Sequence, residues 1–492
     1  MACERNLVVP GENLTRSEAK RRARDLTTKS YRFDIDISDA KNSDTFRTRA
    51  EIEFRATPGI SSFIDALAET VHSVELNGRS LDPVSVFDGT RIALPELEAV
   101  NVLLIEADFA YTRSGEGLHK FTDPVDGEVY LYSQFEVPDS RRVFPVFEQP
   151  DLKATFDFQV RAPEGWQVIS NQPTPEADVS DGSALFEFGP TPRISSYITA
   201  LIAGPYDVVR DQLTSRNGKA IPLGIFCRKS LWEYLDADYL FDITKKGFAY
   251  FEDVFGVAYP FDKYDQLFVP EFNAGAMENA GAVTFTEAYV FRGAVSDAMR
   301  ERRVVTVLHE LAHMWFGDLV TMTWWNDLWL NESFAEWAST IATAEATEWT
   351  EAWTTFQAME KSWAYRQDQL PSTHPIVATI NDLEDVQVNF DGITYAKGGS
   401  VLKQLVAWVG RDEFFQGVSN YFKRHAWSNT ELSDLLHELE ITSGRDLTAW
   451  STVWLETAGV NTLRPEVETD ADGIITRFAI RQSAPDDWPT LR

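Results

Sequence analysis

The 492-residue sequence predicts a multidomain α+β protein: an all-β N-terminal domain, a mainly α middle domain with a small sheet, and the start of a further β domain. Three observations predict it. Apolar and polar residues alternate with period two from Tyr31 to about Tyr206, helical periodicity takes over from about Trp232, and strand patterning returns after Ala458-Gly459. A chain of this length exceeds what one hydrophobic core organises, so two or three domains are expected, with boundaries read as 1–206, 207–458 and 459–492.

Composition narrows the function classes. Asp and Glu outnumber Lys and Arg by 76 to 45, a formal charge of −31, which disfavours nucleic acid as a partner. Such a field favours cationic groups, the ammonium end of a peptide among them, although an acidic surface also serves solubility alone. Only Cys3 and Cys227 are present, so neither a disulfide framework nor a cysteine metal cluster supports the fold, and a reducing compartment fits. Near the N-terminus Arg16, Lys20, Arg21, Arg22 and Arg24 interleave with Glu18 and Asp25, without the apolar core of a secretory signal, and read as an ordinary surface helix rather than a partner-binding arm. No run of about 18 apolar residues occurs, so a soluble, cytoplasmic protein away from membranes is expected. The sequence does not specify an oligomeric state.

In chain order, Tyr31–Ile37, Phe46–Phe54 and Ala154–Val160 alternate as half-buried strands, punctuated by the turn signals Asn77-Gly78, Asp88-Gly89 and Asp126-Gly127. Tyr239–Phe251 carries helical spacing. Asp265–Phe272 and Gly281–Thr286 read as two strands flanking the loop Asn273–Asn279, an edge with a glycine corner where an extended peptide could pair. Asp472-Gly473 precedes the strand Arg477–Arg481, and the chain ends in what reads as a third domain cut near its start.

The organising stretch is Val307–Glu336. His309 and His313 stand four apart, about 40° around a helix, so both imidazoles leave one face. Val304, Val305, Val307, Leu308, Leu311, Ala312, Trp315 and Phe316 fill the rest of the helix, which Gly317 is expected to end. Glu310 is turned by roughly 100° from His309, beside the open metal position, where a general base belongs. Catalytic zinc takes three protein ligands, and Glu332, separated from His313 by 18 residues and carried on a second helix, supplies the third. Glu336, one turn later, is placed to hold the outer N–H of a ligating histidine. A five-residue match alone arises by chance, and His437-Glu438 opens the same way without its second histidine, reading as a solvated helical face. One zinc ion per chain is the expected cofactor, although such ligands accept other divalent metals.

His309–Asp318 (H-E-L-A-H-M-W-F-G-D) and Leu330–Ala335 (L-N-E-S-F-A), with Gly275-Ala276-Met277-Glu278-Asn279, resemble the gluzincin zinc aminopeptidases of the aminopeptidase N type, in a bacterial-type, C-terminally truncated chain. The resemblance implies a saddle-like β domain, a thermolysin-like catalytic domain and a β-sandwich. It implies zinc on His309, His313 and Glu332, and Glu310 as the base that activates water. It further implies that Gln134, Glu136, Gly275, Ala276, Met277, Glu278 and Asn279 form the substrate-binding set, with Glu278 and Glu136 on the free α-ammonium and the backbone of Gly275 and Ala276 along the peptide. Tyr395, in Gly392-Ile-Thr-Tyr-Ala-Lys-Gly-Gly, matches the tyrosine that stabilises the oxyanion; spacing alone would not single out Glu278 or Tyr395.

The expected activity is release of single N-terminal amino acids from peptides with a free N-terminus. Alternatives are a leukotriene hydrolase or aminopeptidase B-like enzyme sharing the zinc centre, a non-catalytic scaffold with the same fold, and a thermolysin-like endopeptidase. Intact ligands argue against the scaffold, and two ammonium-binding carboxylates against the endopeptidase.

Overall fold

The computed structural model describes residues 12–492; Cys3 lies outside them. Thr15 opens the first helix, Arg16–Asp25, through a capping box with Glu18. Its charges are not simply solvated. Glu18 and Arg22 are buried, and the Arg22 guanidinium bonds Asp65 at 2.6 Å and lies over the Phe63 ring. The expected surface helix is therefore docked on one face, because ion pairing substitutes for apolar contact there.

Period-two alternation produces the long strands Leu26–Asp36, Thr45–Ala56 and Val100–Ala110, whose buried residues recur at every second position apart from one register shift between Thr28 and Ser30. They form the centre of an eight-stranded sheet, in which Leu26–Asp36 pairs antiparallel with Thr45–Ala56 and parallel with Thr155–Pro163. Tyr31, Phe33, Phe144, Phe156 and Phe158 stack on its covered face. A four-stranded sheet, Gln167–Ile169, Ile202–Gly204, Val129–Gln134 and Gly117–Thr122, carries Gln134 and Glu136 toward the second half of the molecule.

That half is built on a five-stranded sheet in the order Asp207–Thr214, Ala220–Cys227, Tyr264–Val269, Ala282–Thr286, Ala276–Met277. Tyr264–Val269 runs parallel to both neighbours and is buried throughout. The crossover into it is the helix Ala237–Phe255, where Gly247 admits the side chains of Leu308 and Leu311 closer than a β-carbon would permit. The loop expected between two strands contributes a strand of its own: Ala276–Met277 pairs antiparallel with Ala282–Thr286 and forms the sheet edge.

Two buried helices follow, Asp297–His313 and Trp329–Ala346, packed on each other. The first ends at His313, three residues before the expected limit at Phe316. Trp315 and Phe316 belong to the turn that follows and pack against Phe255 and Phe422, and Gly317 sits beyond at φ +112°. The reading of His437-Glu438 as solvated holds for His437 only. Glu438 is 1% exposed and pairs with Arg424 at 2.7 Å, because it lies on the inward face of Leu432–Ser443. Strands Thr462–Thr469 and Ile475–Ser483 close the chain as an antiparallel hairpin. Among the described residues no helix is long and apolar enough to cross a membrane.

Candidate active site

His309 and His313 project from the last turn of Asp297–His313 toward Glu332, in the first turn of Trp329–Ala346. Glu332 Oε2 lies 3.3 Å from His309 Nε2 and 3.5 Å from His313 Nε2. Ligand atoms held tetrahedrally at ~2.0–2.1 Å from one zinc ion stand roughly 3.3–3.4 Å apart, so this triad has the spacing of such a cage. The imidazoles are also oriented for it. His313 Nδ1–H faces Asn331 Oδ1 at 2.5 Å and Phe316 O at 3.0 Å, which leaves Nε2 as the lone-pair nitrogen. Glu336 Oε2 is 3.6 Å from His309 Nδ1 on the opposite side from Glu332.

Burial and charge shape the electrostatics. Burial alone would lower the His309 imidazole, but Glu332 and Glu336 outweigh it and hold the group at about 9. Burial works against the Glu332 carboxylate, and the two histidines nevertheless hold it down at about 2. At Glu310 burial outweighs the charges of the same two histidines and pushes the carboxyl up to about 8, and its Oε2 is buried without a hydrogen bond. These residues can hold a divalent cation with N and O donors, and a carboxylate stands beside it.

A second cluster adjoins the first. Carboxylate oxygens of Glu136, Glu278 and Glu332 lie within 4.8 Å of one another, as do ligand atoms of Glu278, Glu310 and His313. Burial, then the charges of Glu278 and Glu332, raise the Glu136 carboxyl well above its usual range, so this cluster gains from a cation placed among its oxygens. Glu278 is anchored by Asn331 Nδ2–H at 2.9 Å.

A cavity of about 480 Å³ opens over both clusters, lined by Gln134, Glu136, Ala274–Ala276, Arg302, His309, Glu310, Trp363, Phe390 and Tyr395 among others. Tyr395 sits in a single π-helical turn, Ile393–Lys397, a distortion frequent at functional sites, and its ring lies 6.0 Å from that of His309. At the edge strand the Gly275 carbonyl is taken inward by Thr286 N–H at 3.0 Å. Pleat alternation therefore leaves the N–H and C=O of Ala276 facing the open edge. Met277 and Asn279 are expected among the substrate contacts; in the structure Met277 is buried at 1% exposure and Asn279 is fully buried, its Nδ2–H donating to Thr284 Oγ1 at 3.3 Å.

The structure also adds residues that sequence reasoning missed. Arg302 and Glu360 pair at 2.9 Å on the cavity wall, and Asn331 joins His313 to Glu278. Asn331 had a usable signal, being the neighbour of Glu332; Glu360 had none, since it comes from a distant helix.

Residues 27–198 match the peptidase M1 N-terminal domain, and residues 239–454 match the peptidase family M1 domain. Aminopeptidase N of Streptomyces lividans is 63% identical over 481 residues, 97% of this chain and 56% of that protein. Tricorn protease-interacting factor F2 of Thermoplasma volcanium is 34% identical over 73% of this chain and 45% of its own length. Leucyl aminopeptidase of Saccharolobus solfataricus is 33% identical over 82% and 50%, respectively. The chain spans about half the length of the curated relatives it matches.

Proposed function

The chain belongs to peptidase family M1, and from that premise we propose that it is a zinc metallo-aminopeptidase that releases single N-terminal amino acids from peptides with a free N-terminus. The observation that carries this reading is the meeting of Glu136 and Glu278 within 4.8 Å of Glu332, a carboxylate of the metal triad. A cation held there is the substrate's α-ammonium, and it places the first peptide bond beside Glu310.

His309, His313 and Glu332 would hold the zinc ion, which when bound acidifies water and polarises the scissile carbonyl. Glu310 takes a proton from the attacking water and returns it to the departing amine. Tyr395 O–H donates to the carbonyl oxygen as charge develops there. Glu278 and Glu136 pair with the ammonium and reject blocked or internal peptide positions, and Gln134 borders the same recess. Ala276 offers the open strand edge, with Gly275 at its corner, to the peptide backbone. Glu336 and Asn331 hold the outer nitrogens of the histidines. The reading assigns residues 1–206, 207–458 and 459–492 to the β, catalytic and further β domains, and the protein to the cytoplasm.

Hydrolysis of amino-acid anilides by the zinc-loaded chain, with N-acetylated controls and chelator, tests the proposal. Chelator-sensitive release from free-amine substrates alone is expected. Cleavage of the acetylated controls would instead favour an endopeptidase, and zinc binding without turnover, also in a chain of the relatives' length, would favour a scaffold.

A further inference from the structure

Just ahead of the edge strand, the chain turns at Glu271, a non-glycine residue at φ +53°. Backbone in that region costs of order 1 kcal/mol or more and persists where neighbours impose it. The imposing neighbours come from the N-terminal β half. Tyr132 O–H donates to the Glu271 carbonyl at 3.2 Å, and His119 Nε2 lies 3.1 Å from the Glu271 carboxylate. His119 is 1% exposed, and its Nδ1 accepts from Gly115 N–H at 3.1 Å. The ring proton therefore sits on Nε2 and is donated to Glu271. The His119 ring stacks on Tyr132 at 4.8 Å, and Tyr132 meets Phe272 edge-on at 5.5 Å. Asn273 completes the contact by donating to the Ser114 carbonyl.

The position of this contact gives it a consequence. His119 and Tyr132 are paired residues of neighbouring strands, and Gln134 and Glu136 follow Tyr132 directly. On the other side, Glu271 leads within a few residues to Gly275, Ala276 and Glu278. The two carboxylates assigned to the α-ammonium thus come from different halves of the molecule, and His119, beside the Tyr132 and Asn273 hydrogen bonds, supplies the side-chain pairing to Glu271 between their segments.

We propose that His119 is a positioning residue: by holding Glu271 it sets the edge strand and Glu278 against Gln134 and Glu136, and so fixes the width of the ammonium recess. This rests on the aminopeptidase reading above. Binding one ammonium between two carboxylates is sensitive to displacements of an ångström, and the contribution belongs to substrate binding rather than to the proton transfers at Glu310.

The test uses the zinc-loaded chain. His119→Phe keeps the aromatic stack and removes both hydrogen bonds; Glu271→Ala removes the acceptor; His119→Gln restores a donor toward Glu271. For a free-amine anilide, KM is expected to rise about fivefold to tenfold in His119→Phe and in Glu271→Ala, with kcat within about twofold and zinc content unchanged. The double variant should be no worse than either single one, and His119→Gln should recover most of the loss. Hydrogen exchange supplies a readout that needs no turnover: the amides of residues 271–277 should exchange faster in His119→Phe. Unchanged KM in both single variants, multiplying effects in the double variant, or loss of kcat together with zinc would overturn the proposal. If the wild-type chain shows no chelator-sensitive release from free-amine substrates, the aminopeptidase reading fails by itself; unaltered exchange at 271–277 in His119→Phe then overturns the clamp separately.

Discussion

Replacing Asn331 by leucine or by aspartate separates two tasks that one side chain performs. Asn331 is 1% exposed; its Oδ1 accepts from His313 Nδ1–H at 2.5 Å and its Nδ2–H donates to Glu278 at 2.9 Å. Leucine has similar volume and makes neither bond. Glu278 then loses a charge-assisted hydrogen bond, which contributes about 1.5–3 kcal/mol, so the grip on the ammonium should weaken roughly tenfold to a hundredfold and appear as a rise in KM. His313 keeps the Phe316 carbonyl at 3.0 Å, so zinc affinity should fall near the lower end of the ~10–100-fold range typical of lost outer partners. Aspartate still accepts from His313 but no longer donates to Glu278. Zinc affinity should then stay within about threefold of the wild type while KM still rises. Chelator competition measures the first quantity and free-amine anilide kinetics the second. Zinc affinity and KM moving together in both variants, or neither moving, would refute the assignment of two separate bonds to two separate tasks.

Further outcomes follow from the same geometry. Glu310→Gln should lower kcat by ~10²–10⁴-fold or more with zinc content unchanged, checked by metal analysis beside steady-state kinetics. Lys153 is buried in contact with the carbonyls of Ser428 and Asp318, and burial lowers its ammonium to about 7. The unfolded chain binds more protons there between about 7 and ~10.4, so this group makes stability rise with pH across that window. Lys153→Met should flatten the rise by up to ~1.4 kcal/mol per pH unit in urea unfolding at pH 7 to 9; identical slopes would show that Lys153 stays charged. Gly317→Ala should destabilise by about 1–3 kcal/mol and weaken zinc binding as well, because a β-carbon at φ +112° meets the Asn331 amide oxygen. Unfolding and chelator competition on the same sample check both effects.

What the sequence determined by itself was whatever local periodicity encodes. Spacings of two and 3.6 residues separate the strands of Leu26–Asp36 and Thr45–Ala56 from the helices, and the four-residue step from His309 to His313 puts two imidazoles on one face whatever surrounds them. Glu332 and Glu336 were legible for the same reason, as one turn of a second helix. Glu136, Glu278 and Tyr395 were legible only through motifs, because no spacing rule links a strand end, a loop and a π-helical turn.

Tertiary structure decided the rest. It ended the helix that carries the histidines at His313, buried Met277 and Asn279, and buried Glu18, Arg22 and Glu438 in ion pairs. It also set Asn331 between His313 and Glu278, and His119 against Glu271, across 152 positions of chain. Each of these depends on which sheet or helix packs opposite a residue, and that partner is chosen by the parallel crossovers and the docking of two halves rather than by neighbours along the chain.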